Sequence, residues 1–182
     1  RRTGRRPDGS RRDLVTMETV TLLAERVTFS LDIPDEVNRL LQMAVAATQL
    51  NPKQAEALFL QAQALDSQCL QSYFALYKFY FFQKRLADAE RFVQAGLEEA
   101  ARQGGFPSDY RRLVQELAKW DCYASEITLF YLYTLKALAF IKLRQGYSTE
   151  AHGVLSHIKQ LDPKDLSGAS VIMDLAAGVS EP

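Results

Sequence analysis

A small, large, small triad recurs along this chain: Ala55, Phe59 and Ala62 are each followed 34 residues later by Ala89, Val93 and Gly96. Spacings of four and three put each triad on one face of a helix. Such a face accepts a second helix at close range, and a period of this length calls for stacked helical hairpins that each contact their neighbours. A third version, Ala151, Leu155 and Ile158, stands 62 residues after the second. That separation exceeds one period by 28 residues, which places an insertion at about 104–124.

Start and stop signals agree with helices throughout. Pro34 with Asp35 and Glu36 opens a helix running to about Gln49, and Asn51 with Pro52 opens one to about Leu65. A third spans 70–83, and Gly104-Gly105 ends a fourth. Within the insertion, Pro107 and Ser108 precede an expected helix from Asp109 to Lys119, and the polar stretch Trp120 to Ser125 leads into a long helix. After Pro163, Asp165 to Gly178 is amphipathic and suits a cap on an otherwise exposed helical end. The fold class is all-α.

Around the second triad, Tyr73, Leu76 and Tyr80 precede Ala89, Val93 and Gly96 without a gap, and the third copy adds Leu135, Leu138, Ala139, Gly146 and Pro163. On these residues the chain resembles the tetratricopeptide repeat family. The resemblance implies three degenerate antiparallel hairpins, at about 34–67, 68–103 and 125–163, stacked as a short right-handed solenoid with an inserted segment and a capping helix at 165–178. Two departures stand out. Tyr77 occupies a position where the family has a small residue, and Ala101 replaces the closing proline, so that helix runs on towards Gly104.

The length suits a single domain over 17–182, with residues 1–16 a basic tail. This tail holds six Arg and two Asp and no apolar periodicity, and Met17 looks like a natural start, so 1–16 reads as appended upstream or vector sequence, a solvated arm, or an arm for an anionic partner. Net charge is zero for the whole chain and mildly negative without the tail, which argues against nucleic acid as the partner of the folded part. Cys69 and Cys122 have no ligand or disulfide spacing. Ile127 to Leu143, interrupted by Thr128, Thr134, Lys136 and Lys142, is too short and polar to span a membrane. The expected location is the cytoplasm, with no membrane partner.

The functional expectation follows from the resemblance. In that family the first helix of each repeat lines a concave groove, which here would present Gln71, Phe74, Lys78, Phe81 and Phe82, then Tyr133, Lys136, Phe140, Leu143 and Arg144. The expected binding set is Phe74, Phe81, Phe82, Tyr133 and Phe140 as aromatic anchors, with Lys78, Lys136 and Arg144 orienting an acidic, hydrophobic peptide or helix. Phe74 and Phe81 are expected to be dispensable for folding, and Ala89 is not. The Lys, Asn and Arg set with which one branch of the family grips chaperone C-termini is absent, Phe74 standing at one of its positions.

No catalytic, metal or cofactor site is expected. His152 and His157 are five apart, about 140° around a helix, and so cannot share a metal. Carboxylates such as Asp88, Glu90, Glu98 and Glu99 read as solvated helix faces. The chain therefore reads as a protein-binding adaptor. Alternatives are a structural homo-oligomer or homodimer with a self-filled groove, and a small bacterial chaperone. For the latter, size and repeat number resemble chaperones of secretion translocators, and YFALYKFYFF and LKALAFIKLRQG are similar to small repeat proteins that accompany nitrogen-fixation genes and would serve metalloenzyme assembly.

Overall fold

The computed structural model describes residues 32–179, so the basic tail and the expected start at Met17 lie outside the described residues. Within them are eight α-helices and no strand, and no helix is long and apolar enough to cross a membrane.

The first hairpin pairs α1 (Asp35–Ala47) with α2 (Pro52–Leu65). Pro34 supplies the extended backbone before α1, and Asp35 and Glu36 lie against its positive end. Val37, Leu40, Leu41 and Ala44 form its buried stripe, after which the helix closes at Ala47, two residues before the expected end, with Thr48 bonding back to the Val45 carbonyl. The Asn51 side chain accepts from the Gln54 N–H at 3.2 Å and caps α2, whose buried residues are Ala55, Phe59 and Ala62.

The second hairpin joins α3 (Leu70–Phe82) to α4 (Leu86–Gly104). Eight of the thirteen residues of α3 are buried, so this helix is enclosed on several sides and has no clean polar face. It ends one residue before the expected limit because Lys84 turns left-handed at φ 58°, letting the Arg85 N–H reach the Tyr80 carbonyl at 2.9 Å. Gly105, at φ 70°, stops α4. Gly96 makes the close packing workable. A Cβ there would lie 3.3 Å from Tyr73 Cβ and 3.6 Å from the Phe130 ring, so α4 is pressed from both sides at this point.

The insertion forms α5 (Tyr110–Gln115) and a 3-10 turn, Leu117–Lys119, where one helix from Asp109 to Lys119 was expected. Glu116 breaks it at φ −118° and ψ 32°; Leu113 is the only buried residue of α5, too little to hold a longer helix together.

The third hairpin is α6 (Glu126–Arg144) with α7 (Ser148–Leu161), followed by α8 (Ala169–Val179). Ser125 and Thr128 form a reciprocal capping box at the start of α6. The turn at Gly146, φ 85°, repeats the one at Lys84, with the Tyr147 N–H on the Lys142 carbonyl at 2.9 Å. Expected from Asp165, α8 starts later because the buried Asp162 carboxylate first gathers a turn, accepting from Leu166 N–H (2.9 Å), Ser167 N–H (2.8 Å) and Ser167 Oγ (2.7 Å).

Packing follows chain order. Beyond the three hairpins, α2 packs on α3, α4 on α6 and α7 on α8, while α1 touches α3, α3 touches α6 and α6 touches α8. The insertion docks through α5 onto α7, and the Ser108 carbonyl accepts from the Tyr131 hydroxyl of α6.

Candidate functional site

The eight residues expected to line a groove lie on α3 and α6, and their environments separate them into three groups. Phe81 and Phe140 face each other, ring centroids 5.2 Å apart, with only 8% and 4% of their surface exposed. They fasten α3 to α6 and are closed to a partner, which corrects the expectation that Phe81 is dispensable for folding. Burying a pair of this kind stabilises by about 2 kcal/mol per ring or more.

Tyr133 and Lys136 are engaged by the chain itself. The Tyr133 hydroxyl donates to the Leu166 carbonyl at 2.8 Å, and the buried Lys136 ammonium donates to the Ser167 carbonyl and lies 5.0 Å from the Tyr133 ring. Lys136 therefore anchors the turn before α8, where an orienting surface charge was expected. Residues 166–167 thereby lie against the Tyr133 and Lys136 part of the expected groove.

Phe74, Lys78, Phe82 and Arg144 form the third group. Phe74 is half-buried, meets Tyr77 edge-on at 5.4 Å and carries the Lys78 ammonium 4.9 Å from its ring centroid. Burial holds the Lys78 pKa below the ordinary lysine value. Phe82 is 44% exposed and packs edge-on against Phe81 at 6.0 Å, and Arg144 is exposed at the end of α6. Tyr77, the bulky departure, is buried in the same helix, and burial raises its hydroxyl pKa strongly.

His152 and His157 each bond through Nδ1 to their own helix, at the Ser148 carbonyl (2.7 Å) and the Gly153 carbonyl (2.6 Å). Cys69 and Cys122 are buried free thiols, and burial pushes the Cys122 pKa up.

Two polar clusters escaped the sequence reading. At the junction of α2, α3 and α4, Glu56 accepts from the Tyr80 hydroxyl and from Arg85, each at 2.8 Å; Arg85 also pairs with Asp88 at 2.8 Å and lies over the Tyr80 ring at 4.6 Å. The hydrogen bond from Arg85 holds Glu56 below the usual carboxylate range, and burial together with Glu56 pushes Tyr80 up to about 12. At the junction of α4, α6 and α7, Lys142 bridges Glu90 (2.8 Å) and Glu150 (2.9 Å) and lies 5.1 Å from the Tyr147 ring. Burial lowers Lys142, and the two carboxylates outweigh it, leaving its pKa raised.

The two clusters correspond position by position. Glu56 and Glu90 differ by 34, while Tyr80 and Lys142, Arg85 and Tyr147, and Asp88 and Glu150 each differ by 62. Cation and aromatic ring have exchanged places, and the acceptors are retained. The triad offsets were the signal that could have found them. Beside the second cluster lies a cleft of about 510 Å³, walled by Glu90, Glu98, Tyr110, Lys142, Glu150 and His157.

Comparison of the chain with protein-family models, curated proteins and solved structures gives no match.

Proposed function

We propose that this protein is a binding scaffold of three tetratricopeptide-like hairpins that holds an amphipathic, acidic segment of a partner protein against α3. The observation that supports it most is the recurrence of the Glu56, Tyr80, Arg85, Asp88 cluster as Glu90, Lys142, Tyr147, Glu150, at the same offsets as the packing triads. Two junctions that correspond position by position support reading the hairpins as copies of one unit, which in a stack would set the first helix of each on a common face. On that face the binding residues are Phe74, Lys78 and Phe82, with Arg144 at its edge. Phe82 supplies apolar contact area and Lys78 and Arg144 supply charge for orientation.

A second reading has its own support. Leu166 and Ser167 receive Tyr133 and Lys136, which supports the chain itself occupying part of the α6 side of the face. A wholly self-filled face would make the protein a structural or self-associating element. Affinity capture separates the two, using residues 17–182 beside a Phe82→Ala, Lys78→Glu variant after both are shown to melt alike. Loss of a partner from the variant supports the scaffold. Equal recovery of a partner by both moves the binding site off α3 and contradicts the scaffold as proposed, and recovery of the protein alone favours the second reading.

A further inference from the structure

The described residues begin beside the helix that carries the binding face. Asp32 and Pro34 share a shallow cleft with Cys69, Leu70 and Gln103 at the first turn of α3, and Ile33 between them packs against the core. Pro34 has extended backbone, φ −55° and ψ 139°, and a proline restricts the residue before it to extended conformations as well. The chain therefore enters α1 extended, past the start of α3. Val27, Phe29 and Leu31, just before this point, alternate with Thr28 and Ser30. In an extended segment such alternation sets the three apolar side chains on one side and the two hydroxyls on the other.

Reach selects the place on the face. An extended residue advances about 3.3 Å, so position 29 can stand up to about 10 Å from Asp32, while Phe74 is one helical turn, about 6 Å, along α3 from Leu70. Position 27 reaches about 16 Å, short of Phe82 at about 18 Å along the same axis. Chemistry agrees with reach. Phe74 is half-buried, Tyr77 meets its ring edge-on at 5.4 Å, and the Lys78 ammonium is 4.9 Å from its centroid. Burial already disfavours the Lys78 charge, so the uncharged residues 27–31 suit this end better than the Arg-rich residues 1–16. On the α6 side the chain already lays its own backbone on the face, the Leu166 and Ser167 carbonyls accepting from Tyr133 and Lys136.

We infer that residues 27–31 of this chain dock on the Phe74 end of α3, with the Phe29 ring against the Phe74 ring and Phe82 left uncovered. The inference rests on the reading of α3 as a binding face and gives that face a built-in competitor. A partner that uses Phe74 must displace Phe29, and one that uses Phe82 need not.

Nuclear Overhauser contacts in the isotope-labelled full chain test this without any partner, so its failure is distinct from a failure of the affinity capture. Cross-peaks between the Phe29 and Phe74 rings are expected, and isotope filtering of a mixture of labelled and unlabelled copies should place them within one copy. Phe29→Ala should shift the Phe74 ring signals, whereas Thr28→Ala, on the opposite side of an extended segment, should leave the cross-peaks in place. Should Phe29→Ala fail to fold, the cross-peaks of the unaltered chain decide. Absence of cross-peaks between the two rings overturns the inference, as do cross-peaks found only between copies, which would make the occupant a second molecule of this chain.

Discussion

Replacing Phe81 and Phe82 by alanine, one at a time, separates a residue that builds the α3–α6 contact from one that faces outwards. Phe81 is 8% exposed and packs against Phe140 with ring centroids 5.2 Å apart; Phe82, its neighbour, is 44% exposed. Truncating a buried phenylalanine loses its transfer energy and leaves a cavity, about 3 kcal/mol at the lower end of the range for a site with some exposure. For a domain of this size that lowers the melting temperature by roughly 6–12 °C. Phe82 keeps only part of its ring in contact, so its removal costs about 1 kcal/mol or less, or at most a few degrees. Thermal and urea melts followed by circular dichroism measure both. Because the residues are adjacent and chemically identical, helix propensity cancels from the comparison. Equal losses, or a larger loss at Phe82, would refute the assignment of Phe81 to the core.

Four further outcomes follow from the geometry. Ala89→Leu, at a site with no exposed surface, overpacks α4 and should destabilise by about 1–3 kcal/mol in the same melts. Lys84→Gly should stabilise by about 0.5–1 kcal/mol, since Lys84 holds φ 58° and glycine bears that conformation without steric penalty. The Asp162 carboxylate is pushed up by burial but lowered more by its bonds from Tyr123, Ser167 and Leu166, so its folded pKa lies below the unfolded one. Its contribution is thus full above about pH 4 and lost as pH falls through the folded value; Asp162→Asn should cost about 2 kcal/mol at pH 7, and the gap to the unaltered protein should narrow in acid melts. Tyr80→Lys alone places a cation beside Arg85 and should destabilise, whereas Tyr80→Lys with Arg85→Tyr copies the arrangement of the third hairpin and should recover most of the loss in a double-mutant cycle.

Helices and their order were legible where local punctuation marks them, as Asn51-Pro52 opens α2, Gly104-Gly105 closes α4 and the polar stretch to Ser125 leads into α6. Boundaries slipped where distant residues decide them. The late start of α8 depends on Asp162 meeting Tyr123, 39 residues away, and no window of sequence contains both. The aromatic run of α3 showed a helix with too many large residues for one neighbour, without showing that Phe81 would meet Phe140 and that Phe82 would not. Periodicity gives direction around a helix, but exposure depends on what the next hairpin and the turn at 166–167 bring against it. Glu90 reads singly as surface charge, and Lys142 as a polar interruption of the apolar stretch 127–143. Only alignment of the copies shows that each stands where a paired residue stands in the preceding junction.

The measurement that bears most directly on the scaffold is site-specific photo-crosslinking, with benzoylphenylalanine placed at position 82 on α3 or at the exposed position 160 on α7. The scaffold predicts a discrete adduct with another protein from position 82 that is suppressed by Lys78→Glu, and none from position 160. Adducts from position 160 with none from 82, or adducts of the protein with itself alone, would contradict it.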